Sequence, residues 1–181
     1  MRDEGVSVLA AFETQLTRVG AGRNRTAAAA APGAAIAILR EHGCRSLAVA
    51  GAVPGRDEYV LAARAAGLAV VEPGTIRPTR APDGGISLGR LGVAETGSVL
   101  VHSTAADRRL ELCVDVHVVL LDAGSVVPTL DEALARVREL SARPPAYASL
   151  VTGPSRSADI ERRLAVGVHG PGVLHVLLLE R

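Results

Sequence analysis

Apolar positions along the chain change their period several times, and each change marks an element. Over residues 3–18, Leu9, Phe12 and Leu16 recur at helical spacing while Glu13 and Gln15 face away, which predicts a first helix. Residues 19–26 lose the pattern and predict a turn-like stretch holding Arg23 and Arg25, either a solvated loop or one that contacts an anion. A second helix is predicted over about 33–42, with Pro32 in its first turn and Gly43 past its end. Residues 46–51 read as a strand, 56–66 as a helix closed by Gly67, and 68–71 as the next strand. This alternation predicts a mainly parallel sheet covered on both faces.

Residues 73–85, rich in Pro, Gly and Thr, predict a long mobile connection and a candidate lid. Residues 86–102 read as two strand segments meeting at a tight bend at Glu95-Thr96-Gly97, and 108–113 as a helical turn. The near-continuous apolar run 116–121 predicts a central strand. Thr129-Leu-Asp-Glu132 is a capping box, and Leu134, Val137 and Leu140 supply the buried stripe of the helix behind it. Strands are predicted at 148–152 and 174–179. The expected organisation is an N-terminal helix and loop over 1–31 and a single α/β domain over 32–181.

Composition narrows the chemistry. All 20 basic residues are Arg, so Schiff-base chemistry, pyridoxal phosphate anchoring and a P-loop lysine are excluded. A net charge of +1 and 2% aromatic residues remove the case for a nucleic-acid or anionic-membrane partner. Cys44 and Cys113 stand far apart, outside any C-x-x-C pattern, and cannot hold a four-cysteine cluster. No apolar run reaches the ~20 residues of a membrane span, and Met1-Arg2-Asp3-Glu4 lacks the order of a signal peptide, so a cytoplasmic protein is expected.

Three stretches carry candidate chemistry. Glu95, Thr96, Gly97 and Ser98 place a carboxylate at a strand break, either presented to a cleft or solvated on a plain hairpin. Thr152, Gly153, Pro154, Ser155 and Arg156, with Asp159 and Glu161 beyond, form a strand-end turn. Its amides and Arg156 could hold a carboxylate or phosphate; the alternative is a serine cap with a surface arginine. His169, between Gly167 and Gly170, is either structural or close to Asp159 and Glu161. A Ser155–Asp159–His169 triad is disfavoured because no G-x-S-x-G elbow is present. No G-x-G-x-x-G occurs, the histidines lack metal spacing, and His117 and His175 lie in apolar strands as core or sheet-face residues.

Ala94-Glu95-Thr96-Gly97-Ser98, then Thr152-Gly-Pro-Ser-Arg-Ser-Ala-Asp-Ile-Glu161, then Gly167-Val-His-Gly-Pro171 resemble the lactate-utilisation (LUD) domain family, most closely its C-type branch, over roughly residues 32–181. The resemblance implies a Rossmann-like three-layer fold akin to the sugar-phosphate isomerases and CoA transferases. It implies a non-redox subunit of an L-lactate to pyruvate oxidation system whose iron–sulfur clusters sit on partner subunits, with no cofactor on this chain. In the related CoA transferases a Glu in a Glu-x-Gly turn is the nucleophile, and Glu95 matches that pattern. The rival reading is therefore a stand-alone acyl-transfer enzyme, and a third is an anion-binding module without turnover. The site is expected where Glu95, Thr96, Ser155, Arg156 and Asp159 converge at one end of the sheet, with His169 nearby and residues 73–85 above.

Overall fold

The computed structural model describes residues 7–141, 147–157, 165–166 and 170–180. In chain order the elements are α1 (Val8–Arg18), β1 (Gly22–Ala27), α2 (Ala31–Glu41), β2 (Ser46–Val49), α3 (Arg56–Ala65), β3 (Ala69–Val70), β4 (Gly84–Val93), β5 (Ser98–Ser103), α4 (Ala105–Cys113), β6 (Val116–Asp122), β7 (Val126–Val127), α5 (Leu130–Ser141), β8 (Tyr147–Thr152), β9 (Arg156–Ser157), β10 (Ala165–Val166) and β11 (Val173–Glu180). Six strands run parallel in the order β1-β11-β6-β4-β2-β3. The expected central strand, β6, lies between β11 and β4 and is apolar on both faces because helices cover both.

Two adjacent glycines locate those layers. A Cβ on Gly84 would meet a Leu39 methyl of α2 at 2.6 Å, while one on Gly85 would meet Leu110 of α4 at 2.5 Å. Successive residues of a strand point to opposite faces, so α2 and α4 lie on opposite sides of the sheet. Phe12 and Leu16 of α1, both fully buried, pack with Val119, Leu121, Leu174 and Val176 on the α4 side. Tyr59, Val60 and Ala63 of α3 join the core beneath α2.

Beyond Leu88, β4 leaves the parallel sheet and pairs antiparallel with β5, which in turn pairs antiparallel with β8. Alpha-helix α5 packs on this smaller sheet. Its buried contact is Ala133, backed by Leu130 and Val137; of the expected stripe Val137 packs here, Leu134 is exposed, and the side chain of Leu140 lies outside the described residues. The capping box is half formed. Thr129 Oγ1 accepts from the Glu132 amide at 3.4 Å, but Glu132 returns to the Thr129 hydroxyl at 3.3 Å rather than to the backbone.

Two expectations are corrected. Residues 22–27 are not loop: β1 pairs in parallel with β11 along its whole length and so adds the N-terminal segment to the main sheet. Its polar run is tolerated because it is an edge strand. There Arg25 forms a two-pronged ion pair with Glu13 at 2.6 and 2.8 Å, and His175 Nε2 donates to Asn24 Oδ1 at 2.8 Å. The segment 73–85 is pinned rather than free. Ile76 is fully buried, and Asp83 Oδ2 accepts from the amides of Arg45 and Ser46 and from the Ser46 hydroxyl at 2.8–3.0 Å. No helix among the described residues is long and apolar enough to cross a membrane.

Candidate functional site

The β4–β5 hairpin carries Glu95-Thr96-Gly97 at its tip, with Gly97 at φ +67 and its amide bonded to Val93 O at 2.9 Å. Antiparallel pairing of β5 with β8 sets Ser98 opposite Thr152. A string of hydroxyls follows: Thr96 Oγ1 lies 2.7 Å from Ser98 Oγ, which lies 2.6 Å from Thr152 Oγ1. The first two predicted stretches therefore meet.

Glu95 does not join them. Its Oε2 accepts the Leu130 amide at 2.8 Å, so the exposed carboxylate caps the start of α5 instead of facing a cleft. A helix N-terminus carries unpaired amides and partial positive charge, and a nearby carboxylate satisfies both. Gly153, at φ +68, presses against the Val19 carbonyl, and Arg156 Nη2 donates to that same carbonyl at 2.8 Å. The guanidinium thus closes the carboxyl end of α1. Ser155 bonds Pro171 O through its amide at 2.8 Å, with Gly170 alongside. Asp159 and His169 lie outside the described residues. This end of the molecule is a brace in which α1, the hairpin and the 152–156 turn hold one another.

A different crevice opens at the carboxyl end of β2. Strands β2 and β4 are neighbours, yet the chain leaves β2 toward β3 and leaves β4 toward β6. That reversal of direction leaves a gap between the two connections, where ligands of open α/β sheets bind. Here the gap is a cavity of about 560 Å³, lined by Gly51, Ala52, Arg56, Glu72, the Pro73–Gly74 turn and the first turn of α4.

One carboxylate organises it. Asp107, 4% exposed, accepts the Gly51 amide at 2.9 Å and the Thr104 hydroxyl at 3.0 Å. The Thr104 hydroxyl in turn accepts the Asp107 amide at 3.2 Å, and Arg108 N–H reaches Thr104 O at 2.9 Å. Ala105 and Ala106 are left as the first-turn donors without an intrahelical acceptor. Across the gap, Arg56 donates from Nε to Val49 O at 3.1 Å and pairs with Glu72 at 2.8 Å; Arg109 steadies the opposite rim through Gly74 O at 3.3 Å. The crevice therefore joins the Arg56–Glu72 ion pair, the Asp107 carboxylate and the start of α4, where Ala106 supplies a first-turn amide; a small carboxylate would meet that amide and compete with Glu72 for the guanidinium. The motif-based reading missed Thr104, Asp107, Arg56 and Glu72. The T-x-x-D spacing of 104–107 is a capping signal that marks where α4 begins, but it does not say what lies opposite.

Beneath α4 the interior is polar in places. Ser87 Oγ and His117 Nε2 share a hydrogen bond of 2.7 Å, and complete burial pushes the His117 imidazole down to about 4. It is the neutral core histidine expected from its strand. Burial pushes the Glu111 carboxyl up. The two thiols lie apart: Cys44 is buried next to Gly84 on the α2 side, where burial first and Asp83 second push it up to about 11, and Cys113 ends α4 on the opposite face. Among the described residues no group of three or more His, Cys, Asp or Glu could hold a metal ion.

Comparison with known proteins gives this geometry a family. The LUD domain pattern matches residues 9–179, and so includes α1 and β1 as well as the 32–179 region. Lactate utilization protein C of Geobacillus thermodenitrificans is 36% identical over 91 residues, covering 48% of this chain and 38% of its own. That of Bacillus subtilis is 33% identical over 102 residues, covering 54% and 42%. The matches thus span about two fifths of the length of these curated relatives. A DUF162 family protein from Deinococcus radiodurans has the same fold, with a TM-score of 0.69 at 21% identity and 96% of each chain covered. With the family pattern running through nearly every described element, the chain belongs to the LUD domain family and is similar to lactate utilization protein C over about half its length.

Proposed function

We propose that this chain is a non-redox subunit of a lactate-oxidising system, working with partner subunits that carry iron–sulfur clusters and binding a small carboxylate in the β2/β4 crevice. The observation that carries this reading is the LUD match over residues 9–179, with relatives named lactate utilization protein C. The chemistry of the chain agrees with it. Two cysteines on opposite faces of a sheet cannot supply the four thiolates of a cluster, so electron transfer falls to other chains. Arg56, exchanging its Glu72 partner, and the first-turn amide of Ala106 would grip the carboxylate of lactate or pyruvate, while Asp107 keeps the Gly51 loop and α4 in register around it.

The test is anaerobic co-purification of the full chain with cluster-bearing lactate-utilisation subunits, alongside a pyruvate and lactate titration followed by amide chemical shifts. The expected result is a stable complex and shifts centred on Gly51, Ala52, Ala105 and Ala106. Lactate oxidation by the purified chain alone with an artificial acceptor would overturn the division of labour. Binding of pyruvate without any partner complex would favour a simple anion-binding module.

A further inference from the structure

The smaller sheet carries a second cavity, of about 330 Å³, between β4, the turn that follows β6, and α5. We propose that it is a binding site for an organic anion, a phosphate or carboxylate head on an apolar body, held between Arg90 and Arg136.

Backbone register aims the first arginine. Along the β4–β5 ladder, Gly89 pairs with Val101 but Leu91 pairs with Leu100, so Arg90 is the extra residue of a β-bulge. A bulge rotates its side chain out of the normal alternation and twists the strand, and bulges recur where a side chain has to be re-aimed toward a site. Arg136 enters from the opposite wall, on α5.

Arg25, Arg56, Arg108, Arg109 and Arg156 each hold a carboxylate, hydroxyl or carbonyl. Among the described residues, neither Arg90 nor Arg136 has a hydrogen bond or ion pair, and no carboxylate lines the cavity. Two guanidiniums facing one space repel each other, and an anion between them converts that repulsion into two charge-assisted contacts. The local positive field is felt next door: burial first, and then the Arg90 charge, hold the His102 imidazole below its usual range.

The remaining walls define the rest of the ligand. Leu91, Val126 and Val127 present an apolar floor, and Gly124 and Ser125 form a small-residue rim. Asp122 turns its Oδ1 onto the Gly124 amide at 2.8 Å, which shapes that rim. An inorganic ion would leave the apolar floor uncovered. An amphiphilic anion would cover it and take that apolar surface out of water.

The test uses the full chain and three probes: phenyl phosphate, benzoate and inorganic phosphate, each titrated by isothermal calorimetry with amide shifts as the map. Saturable binding of phenyl phosphate or benzoate, with shifts on Leu91 and 124–127, is the expected result. Preference between these two probes separates a phosphate from a carboxylate ligand. Arg90→Gln and Arg136→Gln are each expected to weaken the binding at least tenfold and the double variant to abolish it. Arg138→Gln, on the same helix but outside the cavity, should leave it intact. Thermal unfolding verifies that the variants remain folded. No saturable binding by either organic probe, retained binding in the double variant, or equal affinity for inorganic phosphate would each overturn the proposal. Pyruvate shifts confined to Gly51 and Ala105–Ala106 concern the β2/β4 crevice, so either site can fail without the other.

Discussion

Asp107 Oδ1 accepts the Gly51 amide at 2.9 Å across 56 residues of sequence, and this one bond locks the loop leaving β2 onto the first turn of α4. Asp107→Ala would leave that amide and the Thr104 hydroxyl without their acceptor. An expected loss of about 1–3 kcal/mol, read by urea denaturation, follows from stranding a part-buried donor. Asp107→Asn keeps an oxygen in place and should lose less. Both should weaken pyruvate binding in the crevice.

Glu95 separates two roles by a simple comparison. As the cap of α5 through Leu130, its change to Gln keeps an acceptor oxygen, whereas Ala removes it. Glu95→Ala is expected to cost about 0.5–1 kcal/mol and Glu95→Gln less, by thermal or chemical unfolding. A covalent adduct on Glu95 after incubation with an acyl-CoA, lost in Glu95→Gln, would instead establish the carboxylate as a nucleophile.

The junction between α1 and the 152–156 turn has almost no free space. Gly153 is at φ +68 against the Val19 carbonyl, so Gly153→Ala adds both a left-handed penalty and a clash with backbone. A destabilisation of about 2 kcal/mol or more is expected. Arg156→Ala removes only the bond to Val19 O from an exposed side chain, and should cost about 1 kcal/mol or less. If the two costs were equal, packing of the turn on α1 would not be the main interaction.

Acid should destabilise the fold before the ordinary carboxylates titrate. The His117 imidazole has a folded value of about 4 against 6.5 for the free side chain, because burial disfavours its charge. Its contribution is fully present above pH 6.5, where both states are neutral, and is lost as pH falls toward 4, because the unfolded chain takes up the proton first. The loss amounts to roughly 3 kcal/mol. His102 and His175, also held low by burial, act in the same direction. Glu111, held high by burial, acts in the opposite sense: its contribution is present at low pH and lost as pH rises through its folded value. Glu13, held low by its hydrogen bond to Arg25, adds a loss only in the carboxylate range. Denaturation midpoints from pH 7 to 4 should fall, and His117→Gln should flatten much of that slope.

What the sequence determined by itself is whatever depends on neighbours along the chain. The period of Leu9, Phe12 and Leu16 makes α1, the unbroken run 116–121 makes a doubly covered strand, and the hairpin bend at Glu95-Thr96-Gly97 and the capping box at Thr129 announce themselves locally. The motifs at 94–98 and 152–171 also suffice for the family, because order and spacing survive without coordinates. What only the tertiary structure decided is partnership. Residues 22–27 look like a polar loop and become a strand because β11 offers them an open edge. Glu95 looks presented to a cleft and is instead drawn to Leu130, since the start of α5, 35 residues on, offers unpaired amides nearby. Arg156 looks free for an anion and is taken by the end of α1, while Arg90 gains its position only from a slipped register. A charged side chain goes to the nearest unsatisfied group in space, and the chain's local pattern holds no record of which group that is.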